Sequence, residues 1–129
     1  MSETATAGQL AAAISNTVVK AIAETTGRGP TKARTTMGKD SIFVVVQDTL
    51  TKGERTLVES DDEATVLRVR EAWQRAMRPT LNAEIERLTG RRVIGFMSTN
   101  HVDPDLGVEV FILEPVDVDG RIAEGESGD

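Results

Sequence analysis

The sequence predicts an α+β domain: a four-stranded antiparallel sheet with helices mainly on one face, in the order α-β-β-α-α-β-β. Three observations predict it. The tripeptide Thr-Gly-Arg occurs twice, at Thr26-Gly27-Arg28 and Thr89-Gly90-Arg91. Each copy closes a stretch whose apolar residues recur at helical spacing, and each is followed by residues of strand character. The four extended segments fall into two consecutive pairs, which suits two hairpins joined into one sheet with amphipathic helices laid over it. Outside the tripeptide the two halves share little identity, so the repeat is one of architecture.

The first helix begins at the capping box Thr6-Ala7-Gly8-Gln9 and carries Leu10, Ile14, Val18 and Ile22 along one side. Gly27 supplies the left-handed residue that ends it, and Pro30 prevents its resumption. Thr31 to Met37 alternate as a strand does, with Lys32, Arg34 and Thr36 facing one way, and Gly38-Lys39-Asp40 turns the chain. Ile42 to Val46 are apolar on both faces, as in a central strand covered on each side. Two helix starts follow, Thr51-Lys52-Gly53-Glu54 and Ser60-Asp61-Asp62-Glu63, each a hydroxyl cap with a glutamate three residues on. In the longer helix Val66, Val69, Trp73, Met77, Leu81, Ile85 and Leu88 keep a helical register through Pro79, which favours a kinked helix over a second helix starting at Pro79. Strands over Val93 to Ser98 and Val108 to Leu113 complete the order, joined through Asn100 to Asp105.

A chain of 129 residues suits one domain, expected over residues 1–115, with 116–129 as a disordered acidic tail. The formal charge of -6 is unevenly spread: 13 of the 15 Lys and Arg lie between Gly27 and Arg92, with 10 of the 21 Asp and Glu. The absence of cysteine excludes disulfides, thiolate metal sites and cysteine nucleophiles. No apolar run is long enough to span a bilayer and no secretory signal opens the chain, so a cytoplasmic protein without direct membrane insertion is expected. A homodimer is the simplest cover for any second apolar face of the sheet.

The first candidate site is basic. Arg28, Lys32 and Arg34, with Lys52 and Arg55 from the next helix, would engage a small anion or an acidic partner through guanidinium forks, threonine hydroxyls and amides near Gly29. Alternating polar residues also form the wet face of an edge strand, where cations discourage aggregation. The segment lacks the order of a phosphate-binding loop. The second candidate is His101, Asp103 and Asp105, with Glu109 beyond, as a metal-dependent or acid/base centre. Against it, the same residue types satisfy loop backbone around Asp-Pro. Phe43, Phe96, Phe111 and Trp73 fall at core positions, leaving nothing to stack on bases, so nucleic acid is not an expected partner. No nucleophile motif or forced carboxylate pair is present; neither catalytic residues nor a metal or cofactor is expected.

Three blocks together resemble the MpsC-like family: Gly27 to Arg34, Asp48 to Val58, and Asn100 to Asp105 with Val110 to Pro115. The similarity covers about Ile14 to Pro115. The resemblance implies a small soluble accessory to membrane proteins of ion or inorganic-carbon uptake, named after a sodium-translocating, membrane-potential-generating system, with no catalytic residues to carry over. A membrane transport protein is therefore the expected partner, and a structural homo-oligomer is the remaining alternative.

Overall fold

The computed structural model describes residues 6–116. The expected tail over 116–129 lies, apart from Val116, outside the described residues. Seven elements follow the expected order: α1 (Ala7–Thr26), β1 (Lys32–Met37), β2 (Ser41–Gln47), α2 (Lys52–Glu59), α3 (Glu63–Thr89), β3 (Val93–His101) and β4 (Leu106–Leu113). The strands form one antiparallel sheet in the order β1-β2-β4-β3, so each hairpin contributes one central and one edge strand.

Local signals account for the helix ends. Thr6 accepts from the Gln9 amide at 3.0 Å while Gln9 Oε1 accepts from the Thr6 amide at 2.8 Å, a complete capping box. Thr51 and Glu54 repeat it at α2. Gly27 and Gly90 adopt φ of 85° and 69° and end α1 and α3. In both copies of Thr-Gly-Arg the threonine hydroxyl donates to a carbonyl four residues back, Ile22 or Ile85, and accepts from the arginine amide two residues on. The repeat is thus a hydrogen-bonded helix stop that sets the exit direction of the chain.

Each arginine then braces an end of β2. Arg28 Nε donates to Asp48 O at 3.0 Å, and Arg91 reaches Asp40 Oδ1 at 2.6 Å as well as the carbonyls of Lys39 and Glu114. Arg91 therefore joins the two hairpins.

Helices α1 and α3 pack on the same face of the sheet. Ile14, Val18 and Ile22 of α1 meet Met77, Leu81 and Ile85 of α3 over Ile42, Val44, Val46, Phe96, Phe111 and Leu113. Each of the fully buried aliphatic side chains contributes on the order of 1.5–3 kcal/mol through its transfer from water. Pro79 sits inside the single helix α3, as the unbroken register predicts.

Three expectations need correction. Asp62, not Ser60, caps α3, accepting from the Thr65 amide, because Ser60 closes α2. The buried stripe of α3 runs through Val66, Arg70, Gln74, Met77, Leu81 and Ile85, with Val69 and Trp73 only half-buried, because a polar interior receives Arg70 and Gln74. Phe43 is not a core residue: it stands 44% exposed on the face opposite the helices.

Gly27→Ala should destabilise the fold by about 1–2 kcal/mol, the cost of placing a Cβ in the left-handed region, since no steric contact surrounds the site. Gly53→Ala, equally uncrowded but helical, should stabilise it by about 0.5–1 kcal/mol. Urea unfolding of both variants checks the opposite signs.

Candidate functional site

Alternation along β1 sends Lys32, Arg34 and Thr36 to one side. The register continues each across the sheet. Arg34 stands opposite Val45, which faces Val108, which faces Thr99; the neighbouring row is Thr36, Phe43, Val110 and Met97. These rows lie on the side that neither long helix covers. Val45 is 40% and Met97 55% exposed, whereas Ile42, Val44 and Val46, alternating with them, are buried under α1 and α3. Ile94, at the bulge where β3 enters the sheet, is 54% exposed. The strand residues sharing this face include Lys32 and Arg34 but no Asp or Glu. It is an apolar surface with a cationic border.

The five cations of the predicted basic site divide among three settings. Arg28 is half-buried and turned to the main chain at Asp48. Lys32 and Arg34 stand on the uncovered face, with no ion pair among the described residues. Lys52 and Arg55 are exposed on α2, where Arg55 lines a cleft of about 410 Å3 with Asp48, Glu59, Asp103 and Asp105.

In the β3–β4 turn the polar side chains bind the chain itself. Asp105 accepts from Thr49 Oγ1 and from the Leu50 amide, both at 2.9 Å. His101 Nδ1 lies 2.8 Å from Pro104 O. His101 pairs with Leu106 on the outer side of the ladder, whereas Glu109, three residues beyond Leu106, points to the helices. Sequence spacing brought these residues together; the pleat separates His101 from Glu109. Among the described residues no group of three His, Asp or Glu is placed to hold a metal ion.

A buried polar network escaped the sequence reading. Arg70 makes a two-pronged pair with Glu54, Nε to Oε2 at 2.9 Å and Nη2 to Oε1 at 2.7 Å, and also donates to Thr49 Oγ1 and Thr49 O. Glu54 Oε1 accepts in addition from the Thr51 amide. One carboxylate therefore caps α2 and neutralises a cation from α3, and through Thr49 the network reaches Asp105. The available signal was the polar pair Arg70 and Gln74, one turn apart beside the apolar positions of α3.

Glu109 is buried, with 3% of its surface exposed, and its Oε1 has no hydrogen-bond partner of ordinary geometry among the described residues. Burial pushes its carboxyl up to about 7, against the smaller opposing influence of neighbouring Ser98 and Arg70.

Arg70→Met should cost about 3–5 kcal/mol in chemical denaturation, because it leaves Glu54 buried without its counter-charge. For Glu109 the folded pKa lies above the unfolded one, so the folded chain holds a proton that the unfolded chain releases. Its contribution is present at low pH and lost as pH rises through about 7. The wild type should lose ~2 kcal/mol from this group between pH 5.5 and pH 8, and Glu109→Gln should remove that part of the slope. Urea midpoints across this range measure it.

No curated protein and no solved structure is detectably similar to the chain. Residues 6–115, in contrast, match the family described as the Na+-translocating membrane potential-generating system (MpsC). That span includes every element described above, and no helix among the described residues is long and apolar enough to cross a membrane. The chain belongs to the MpsC family.

Proposed function

We propose that this protein is a non-catalytic accessory subunit of a membrane sodium-transport system, and that it docks through the helix-free face of its sheet onto an acidic segment of a membrane partner. The observation that carries the reading is the combination on one surface of exposed Phe43, Val45 and Met97 with Lys32 and Arg34. Four strands ~4.8 Å apart make the face roughly 19 Å wide, and the seven residues of β2 give it a length of roughly 23 Å. Large apolar side chains gathered at the solvent surface of such a face favour an interaction site.

Charge selects the occupant. The absence of carboxylates among the strand residues on this face means that a second copy, laid face to face, brings no counter-charge from its own strands to Lys32 and Arg34. An acidic partner brings that charge, and long-range attraction then aligns the encounter before the apolar surfaces close. The family description supports the assignment to a sodium system. The linked association with inorganic-carbon uptake belongs to the same proposal.

Co-expression with the membrane subunits of the same system, followed by detergent purification, tests the reading. Retention of the chain should fall at least about tenfold in Lys32→Glu/Arg34→Glu and in Val45→Asp, and should weaken with added salt in the wild type. Equal retention of all variants rejects it. A stable dimer in light scattering that Val45→Asp converts to monomer assigns the face to a second copy instead.

A further inference from the structure

The two edge strands of the sheet are finished differently. Along β3 the helix α3 takes up main-chain groups: Arg78 Nη2 donates to Phe96 O at 2.8 Å, and Glu86 Oε2 accepts from the Val93 amide at 2.8 Å. Along β1 nothing comparable happens. Gly38 N donates to Ser41 O at 2.8 Å, and bonded pairs alternate along an antiparallel ladder, so Thr36, Arg34 and Lys32 are the residues whose main chain bonds to β2. Ala33 and Thr35 therefore turn their N–H and C=O outward, and no hydrogen bond among the described residues reaches those groups. An open row of this kind is a template for another strand.

The side chains along this edge differ from one side to the other. Lys32 and Arg34 are exposed on the helix-free face, with no ion pair among the described residues. Ala33 packs against the core, and Thr35 turns toward α1, where Ser15 Oγ lies 2.7 Å from Thr35 Oγ1.

We propose that β1 accepts a fifth strand, an extended acidic segment of the membrane partner with a carboxylate at every second position. The proposal rests on the docking reading above and specifies how the acidic segment is held. Added antiparallel, such a strand exchanges main-chain hydrogen bonds with Ala33 and Thr35. Lys32 and Arg34 then occupy the non-bonded positions, where side chains of neighbouring strands approach most closely, with Cα atoms about 4.5 Å apart. Opposite charges at such positions support pairing and like charges oppose it. Alternation carries the carboxylates onto the helix-free face beside both cations, and the residues between them turn toward α1, where small or β-branched apolar side chains suit Ala33 and Thr35.

The same charges decide against a second copy. Two β1 strands side by side bring Lys32 and Arg34 of both copies onto one face, the repulsion by which cations guard an edge strand. An acidic strand meets attraction at the same positions.

Anisotropy titration of the full chain with the fluorescein-labelled peptide Thr-Glu-Val-Glu-Val-Glu-Thr, alongside the same peptide N-methylated at both valines, tests the proposal. Methylation removes the amide protons that meet β1 and leaves the charge unchanged. The methylated peptide should bind at least about tenfold more weakly, as should a version with lysine for each glutamate. Ala33→Pro deletes an outward N–H while keeping both cations, and it should weaken the unmethylated peptide at least about tenfold, as should Lys32→Glu/Arg34→Glu. If Ala33→Pro does not fold by circular dichroism, the methylated peptide on the wild type remains decisive. Equal binding of the two peptides, or no binding of either up to about 1 mM, overturns the proposal. Retention of Ala33→Pro by the membrane subunits at the wild-type level, with Lys32→Glu/Arg34→Glu lost, overturns strand addition and leaves the docking reading standing. Retention of both variants overturns the two together. A stable dimer that Ala33→Pro converts to monomer assigns the edge to a second copy instead.

Discussion

A sheet has two faces, and this chain places both of its long helices on the same one. The choice follows from the connections. Each Thr-Gly-Arg stop turns its helix into the first strand of a hairpin, so α1 and α3 end alike, and their apolar stripes meet over Ile42, Val44 and Phe111. Among the described residues nothing forms a second layer on the other face. What would be a sandwich of helices around a central strand becomes a two-layer domain whose second sheet surface carries Phe43, Val45 and Met97 outward. Everything proposed about partners descends from that asymmetry.

The interior has its own asymmetry. At one end the core is aliphatic; toward the other, α3 buries Arg70 and Gln74 in place of further apolar residues. A buried cation is tolerated where its charge is paired and its nitrogens are hydrogen-bonded, and Glu54 with Thr49 partners each nitrogen of the Arg70 guanidinium. The network holds the short helix α2, which has few apolar contacts of its own, against α3 and the β3–β4 turn. Glu109 lies beside this region without equivalent satisfaction. The same polar end of the domain therefore contains both a hydrogen-bonded ion pair and a buried carboxyl that burial shifts toward its neutral form.

Much of this was written in local patterns. The capping boxes at Thr6 and Thr51, the left-handed glycines at Gly27 and Gly90 and the alternation of Lys32 with Arg34 each involve residues within one or two turns of chain, and the structure realises all of them. The misreadings have a common origin. Ser60 and Asp62 are both good caps, and the closing turn of α2 decides between them. Val69 and Arg70 are adjacent and roughly 100° apart around the helix; burial of Val66, Met77, Leu81 and Ile85 turns Arg70 inward, and the carboxylate of Glu54 meets its charge there. His101 and Glu109 are close along the chain, yet the parity of the ladder puts them on opposite faces. The cations from Arg28 to Arg55 are near in sequence but are carried by elements with different orientations.

The amino-acid sequence by itself determined the class of fold, the order of its elements, where helices start and stop, and which residues of each strand share a side. Those features rest on backbone preferences and side-chain periodicity, which act over a few residues. Tertiary structure alone decided that β2 and β4 lie at the centre, that among the described residues one surface of the sheet is uncovered, that Arg70 finds Glu54, and that Ser98 and Glu109 stand opposed in the ladder. Each of these joins groups far apart along the chain, and such pairings exist only once the whole set of elements has packed.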